Sequence, residues 1–245
     1  MKINVFVMMT ALLFMMTSCT VRVGEGGEKI EPSEKIVKET YQQDAFSKVE
    51  NHVVGKILLV QSKDSTCSVT LSAPENYVDL FDFHNEDGNL IISFAKGNFS
   101  LESDSIMIIV HTPNIAEVTN TGAAEIRLKG LQGEKLNLNN SGVGAFQFSN
   151  LVVRNVNVRC TGVGSIKLNG RAGKVDYKCT GVGNIEAKNL KARRVEAHVS
   201  GVGGIDCYAS EYFKGHVSGV GKIRYAGHPK EKELNANLTG SISEL

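Results

Sequence analysis

The chain has 245 residues, 42% of them hydrophobic and 22% charged, ordinary proportions for a folded protein. Its 27 Lys and Arg against 26 Asp and Glu give a formal charge of +1, which argues against nucleic acid as a partner, because phosphate binding needs clustered surplus cations. Five cysteines without paired C-x-x-C spacing argue against a zinc module, and the four beyond Cys19 are too few for a disulfide framework.

Met1-Lys2 and the apolar run from Ile3 to Met16 have the form of a secretory signal, shorter than the ~20 apolar residues of a membrane span. The run ends in Met16-Thr17-Ser18-Cys19, which resembles a bacterial lipobox. Residues 1–18 are therefore expected to be a lipoprotein signal peptide, with Cys19 lipidated and the membrane a partner through that anchor. The expected location is the cell envelope, anchored to the outer membrane, with the periplasmic or surface face left open. Removing residues 1–18 takes away Lys2 and leaves 26 basic against 26 acidic residues.

Residues 19–42, polar and rich in glycine, read as a flexible tether. From residue 43 to 115 short apolar alternations appear, such as Ile57 to Val60, Val69 with Leu71, Leu90 with Ile92, and Ile106 with Ile108. Turn signals follow them, Asp87-Gly88-Asn89 and Thr112-Pro113-Asn114 among these. This part reads as irregular β structure, without an amphipathic helix.

Residues 116–245 are repetitive. Thr161-Gly162-Val163-Gly164 recurs as Ser141-Gly142-Val143-Gly144, Thr180-Gly181-Val182-Gly183, Ser200-Gly201-Val202-Gly203 and Ser218-Gly219-Val220-Gly221, with weaker copies at Thr121-Gly122 and Thr239-Gly240. The first glycines at 122, 142, 162, 181, 201, 219 and 240 are spaced by 20, 20, 19, 20, 18 and 21 residues. Within a unit Val156, Val158 and Cys160 share one strand face, as do Ile166 and Leu168. Such a face is buried only by stacking copies ~4.8 Å apart. The expectation is an all-β fold: a single-stranded, right-handed parallel β-helix, or β-solenoid, with ~20-residue coils. Gly122, Gly142, Gly162, Gly181, Gly201 and Gly219 are the expected structural corners, where close approach and positive φ favour a residue without Cβ. A second turn is expected at Gly130, Asn150, Gly170, Asn189 and Gly227, and the short 18-residue unit places a deletion around Tyr208 to Gly215.

Stacking converts each repeat position into a column. Cys160 and Cys179 fall in an inward column with Asn120 and Asn140; they read as small buried hydrophobes rather than a redox pair, and the asparagines as a buried amide ladder. The hydroxyl column reads as satisfying corner backbone, with glycan contact as the alternative. An outward column runs Thr119, Asn139, Arg159, Lys178, His198, His216, Asn237. Arg159, Lys178, His198 and His216 are the candidate ligand-binding stripe, suited to an acidic polysaccharide. A solvated face is the competing reading. No metal is assigned, because the two histidines have no carboxylate in their column. Glu186 and Asp206, flanked by Lys167 and Arg224, read as a surface charge ladder rather than an acid/base pair. Asp64-Ser65-Thr66 and Asp104-Ser105-Ile106 match a short O-glycosylation signature of some Gram-negative bacteria.

The lipobox, the β-rich segment before Pro113 and the recurrent Ser/Thr-Gly-x-Gly-x-Ile units resemble the DUF2807 family, the putative auto-transporter adhesin head GIN domain, over roughly residues 43–245. The resemblance implies a β-helical cell-envelope protein, commonly a lipoprotein, with no catalytic residue and no cofactor. The expected function is non-enzymatic: binding of a glycan, or of an envelope or host protein, along the solenoid side. A structural or assembly protein that forms homo-oligomers is the alternative, and a polysaccharide-active enzyme is a third reading.

Overall fold

The computed structural model describes residues 28–95 and 99–245. The expected signal peptide, the lipidation site at Cys19 and the start of the expected tether lie outside them. Stacked parallel coils of about 20 residues form a β-solenoid of about six turns.

Five long strands carry the regular part: Ala123–Asn140, Val143–Cys160, Val163–Cys179, Val182–Val199 and Val202–Val217. Each pairs in parallel with the next, so that Asn140 lies beside Cys160, Cys160 beside Cys179 and Cys179 beside Val199. Every strand bends twice. In the second, pairing skips Ser149 and Asn150 and then Arg154, which divides the coil into three sides. Side A spans residues 143–149, side B 151–153 and side C 155–160, and the Ser/Thr-Gly corner leads from side C to the next side A.

The first of these bends uses left-handed backbone, with Gly130 at φ 85°, Asn150 at 56° and Gly170 at 133°. These are residue types that tolerate this region. Asn189 does not adopt it. The second bend rests on two successive outward residues, Glu134-Lys135, Arg154-Asn155 and Arg193-Arg194, which break the inward-outward alternation. Three inward-facing sets meet in the interior. Phe146 and Phe148 from side A, Leu151 and Val153 from side B, and Val156, Val158 and Cys160 from side C are all buried. Burial of each larger side chain stabilises by roughly 2 kcal/mol.

The first corner glycine is required by approach rather than by φ. A Cβ on Gly162 would lie 2.1 Å from the Gly142 carbonyl oxygen, and one on Gly142 equally close to that of Gly122. Gly181, Gly201 and Gly219 face the coil beneath in the same way, and Gly122 faces Val53. Positive φ falls instead on second glycines, such as Gly164 at 147°.

One repeat is invisible in the sequence. Lys48–Asn51 and Val54–Gln61 form sides C and A of a coil beneath Glu117–Asn120 and Ala123–Asn140. There Asn51-His52-Val53-Val54-Gly55 occupies the corner, with His52 in the hydroxyl position and Val53 in the glycine position. Below it lies an irregular cap. A hairpin of Phe81–Glu86 and Asn89–Phe94 turns at Asp87-Gly88, both at positive φ. Ser68–Pro74 runs antiparallel to Met107–Thr112 and to Ile36–Gln42.

Two expectations need correction. The tether does not extend to residue 42: Ile36–Gln42 is a paired strand, because Val37 and Tyr41 alternate onto the core while polar residues face out. At the C-terminus, His216 lies beside Asn235 and Lys222 beside Ser241. The column member is therefore Asn235 rather than Asn237, and Gly240 aligns with the second glycine of its unit rather than the first. The short unit does fall near the expected place, where the register breaks between Asp206 and Tyr212.

Three asparagines form a polar end to the inward column, and the Tyr177 hydroxyl is buried without a partner farther along. Asn51 Nδ2 donates to Asn120 Oδ1 at 2.8 Å, and Asn120 Nδ2 to Asn140 Oδ1 at 2.9 Å. The donor of Asn140 then faces the thiol column without a partner. Cys67, Cys160, Cys179 and Cys207 are free and buried. Burial pushes the Cys207 thiol up to about 12, and the Cys160 thiol is raised by its contact with Cys179 and by burial.

Candidate functional site

Side C brings the four predicted residues into one row. Asn139, Arg159, Lys178, His198, His216 and Asn235 are successive register partners, all pointing away from a side whose inward residues are fully packed. Arg159 and Lys178 are exposed and, among the described residues, neither has an ion-pair partner. The imidazoles of His198 and His216 stack with centroids 4.8 Å apart and planes 6° from parallel. Burial, with His216 and Lys178 adding to it, lowers the pKa of His198 below its ordinary 6.5. At neutral pH the row thus carries two fixed cations and one imidazole held neutral beside its stacked partner.

The next outward column of side C is of different character. Asn157 Nδ2 bonds Asn137 Oδ1 at 2.9 Å, Asn137 donates to Glu117, and Glu196 pairs with Lys174 of the column beyond at 2.7 Å, while Asn139 at the end of the Arg159 row also donates to Glu117. Glu117, Asn137, Asn157 and Glu196 of this column are thus engaged within the protein, whereas Arg159 and Lys178 are not.

The corner beside this row adds two parallel features. Of the hydroxyl column, Thr121 and Ser141 donate to the carbonyls of Asn51 and Asn120 in the preceding coil, while Thr239, shifted into the valine position, donates to that of Gly219. Backbone amides do the same throughout, Thr161 and Gly162 both donating to the Asn140 carbonyl. Next to the hydroxyls runs a ridge that sequence reading missed: Val163, Val182, Val202 and Val220, 50–62% exposed. The signal was present in the repeated Gly-Val-Gly, where a valine between two close-approach glycines has no interior to enter.

His52, read from the sequence as filler, closes the hydroxyl row. Its Nδ1 lies 2.7 Å from Thr121 Oγ1 and its Nε2 2.9 Å from Glu50. An acid, an imidazole and a hydroxyl in line resemble a nucleophilic set, yet the Thr121 hydroxyl also bonds the Asn51 carbonyl at 3.0 Å. The amides of Thr121 and Gly122 are both spent on that same oxygen, which leaves no oxyanion donor there.

On side A, Arg127, Gln147, Lys167, Glu186, Asp206 and Arg224 form the expected column. Arg224 grips Asp206 through both carboxylate oxygens, and Lys167 lies 3.7 Å from Glu186. The two acids are paired with cations rather than with each other. Among the described residues no group of three or more potential metal ligands occurs, and no helix is long and apolar enough to cross a membrane.

The profile of the DUF2807 family, described as "Putative auto-transporter adhesin, head GIN domain", matches residues 45–229. The chain belongs to this family. A putative adhesin of Bacteroides fragilis is 33% identical, with a TM-score of 0.85 over 88% of this chain and 100% of its own. Two proteins of Parabacteroides distasonis share the fold at lower identity. One, a putative adhesin, is 19% identical with a TM-score of 0.70, and the other, a putative lipid binding protein, is 18% identical with 0.66; each covers 89% of this chain and all of its own. No curated protein matches the chain. The GIN-type domain is thus an adhesin-like head, and neither the family nor these neighbours carry an enzyme's description.

Proposed function

We propose that this GIN-type domain is a binding module of the cell envelope that holds an extended acidic glycan along side C and the adjoining corner. The observation that carries the reading is the in-register row of Arg159, Lys178, His198 and His216. Two of its cations have no carboxylate partner among the described residues, and they stand on a frame that cannot bend them apart. A polymeric anion relieves their mutual repulsion. The valine ridge alongside offers an apolar strip to the C–H faces of sugars, and the hydroxyl row offers hydrogen bonds. The lipid anchor at Cys19 and outer-membrane attachment belong to the same proposal and rest on Met16-Thr17-Ser18-Cys19.

Binding to immobilised acidic and neutral polysaccharides tests it. Retention on the acidic ones, weakened at least about tenfold in the variant Arg159→Ser/Lys178→Ser, is expected. Equal retention of the variant, or capture only by proteins, would overturn it.

A further inference from the structure

Side A carries a hollow of about 340 Å³ near the C-terminal end, around the corner from the row just described. Two features of the sequence shape it. The outward column that reads Ala145, Ser165, Asn184 drops to Gly204 before Lys222, so one coil has no side chain there. The same coil is short: pairing between Glu186 with Asp206 and Ala192 with Ala209 is interrupted, so Lys188 has no register partner above it. A hollow of similar size, about 360 Å³ between Arg127, Gln147 and Lys167, lies lower on the same side; the missing side chain, the missing residues and the mixed charge of its lining set this one apart.

The lining is chemically mixed. Asn184 lies one coil below the glycine and Lys222 one coil above. An added Cβ at Gly204 would lie 3.3 Å from Lys222 Cγ and 3.5 Å from Asn184 Oδ1. Asp206 is fixed by the two-point grip of Arg224 at 2.8 Å and a shorter second contact, and Glu186 stands exposed beside it. Lys188 and Lys222 have no ion-pair partner among the described residues. Three cations against two carboxylates give the hollow a formal charge of +1.

That balance selects a ligand. A bare phosphate or sulfate answers the lysines but has no hydroxyls to offer the acceptor oxygens of Glu186, Asp206 and Asn184. A neutral sugar leaves the lysines uncompensated. A sugar with a single carboxylate satisfies both: its charge goes to Lys188 and Lys222, and its hydroxyls donate to Glu186, Asp206 and the Asn184 amide oxygen. The volume is at the lower end of small-molecule sites and has room for one sugar residue. We infer that the hollow around Gly204 binds a carboxylated monosaccharide unit, a uronate or sialate residue, independently of the row on side C.

Saturation-transfer NMR and calorimetry on the full chain in detergent test this with trigalacturonate and sialyllactose as probes, and maltotriose and inorganic phosphate as controls. Wild type is expected to bind at least one acidic probe saturably, in the range of about 0.1–1 mM, and neither control comparably. Lys188→Ser/Lys222→Ser is expected to lose at least about tenfold, and Gly204→Asn to abolish saturation by filling the hollow. A side chain at Gly204 meets the Lys222 stem and carbonyl at 3.3 Å and needs them to give by a few tenths of an ångström, so the lysine variant supplies the same reading without touching the backbone. Lys38→Ser, exposed on the strand Ile36–Gln42 and in neither site, is expected to leave binding of these probes unchanged, and a loss in Arg159→Ser/Lys178→Ser without one in Lys188→Ser/Lys222→Ser would assign the probes to side C and overturn the inference. Absence of saturable binding by either acidic probe, phosphate binding as tight as theirs, or wild-type affinity in Gly204→Asn would overturn the inference.

Discussion

Gly162 and Thr161 are chain neighbours under opposite constraints. Gly162→Ala places a methyl 2.1 Å from a carbonyl oxygen of the coil beneath, and neither backbone can retreat without breaking the pairing on both sides. A loss of about 3 kcal/mol or more in urea unfolding is expected, at the upper end of overpacking costs. Thr161→Ala changes an exposed side chain whose backbone amide makes the corner bond, and a change within about 0.5 kcal/mol is expected from the same measurement. Asn120 is the buried counterpart. Asn120→Val removes the acceptor of Asn51 and the donor to Asn140 together, leaving buried polar groups on both sides, and should cost about 2–4 kcal/mol. The glycine and asparagine requirements were legible in the repeats, although the sequence suggested positive φ where close approach is the cause.

At the scale of the coil, side C is a row of charges whose number depends on pH. His198 has its folded pKa lowered, first by burial and then by His216 and Lys178. Its neutral form therefore favours the fold above the unfolded value of about 6.5, and that contribution is lost as pH falls through the lower folded value. Acidification from pH 7.5 to 5 is expected to strengthen retention on an acidic glycan while lowering the unfolding midpoint. His198→Gln should flatten part of both trends. The column was readable from the sequence because parity and the 20-residue spacing fix every position from Asn139 to His216. The bend between sides B and C was not, since it is marked only by adjacent polar residues such as Arg154-Asn155, which look like ordinary surface. The coil at Asn51 was hidden for a related reason: His52 and Val53 replace the hydroxyl and glycine that define the motif. The hollow at Gly204 required knowing which coil was short and what lay above and below it.

The molecule as a whole is a stack whose two ends differ. The N-terminal end is covered by antiparallel strands packed on the core, whereas Glu231–Ala236 at the other end is exposed along its whole length. That end is held by Glu244, which accepts from His228 at 2.6 Å and lies near Lys232 and Tyr225. His228 first, with Lys232, lowers the Glu244 pKa from 4.5, so its ionised form supports the fold above about 4.5 and that support is lost as pH falls through the lower folded value. Glu244→Gln is expected to raise amide exchange in Glu231–Ala236 at neutral pH and leave Val143–Cys160 protected, a local opening of the terminal unit. Equal loss of protection in both segments would show instead that the end unit and the centre open together. The four interior thiols have a consequence in time rather than in structure. While the stack is closed no oxidant reaches Cys67, Cys160, Cys179 or Cys207, but a chain not yet folded exposes all of them. Folding is thereby set in a race against oxidation, and heat-unfolded protein should regain its native signal on cooling with a reductant present and lose that ability progressively in air.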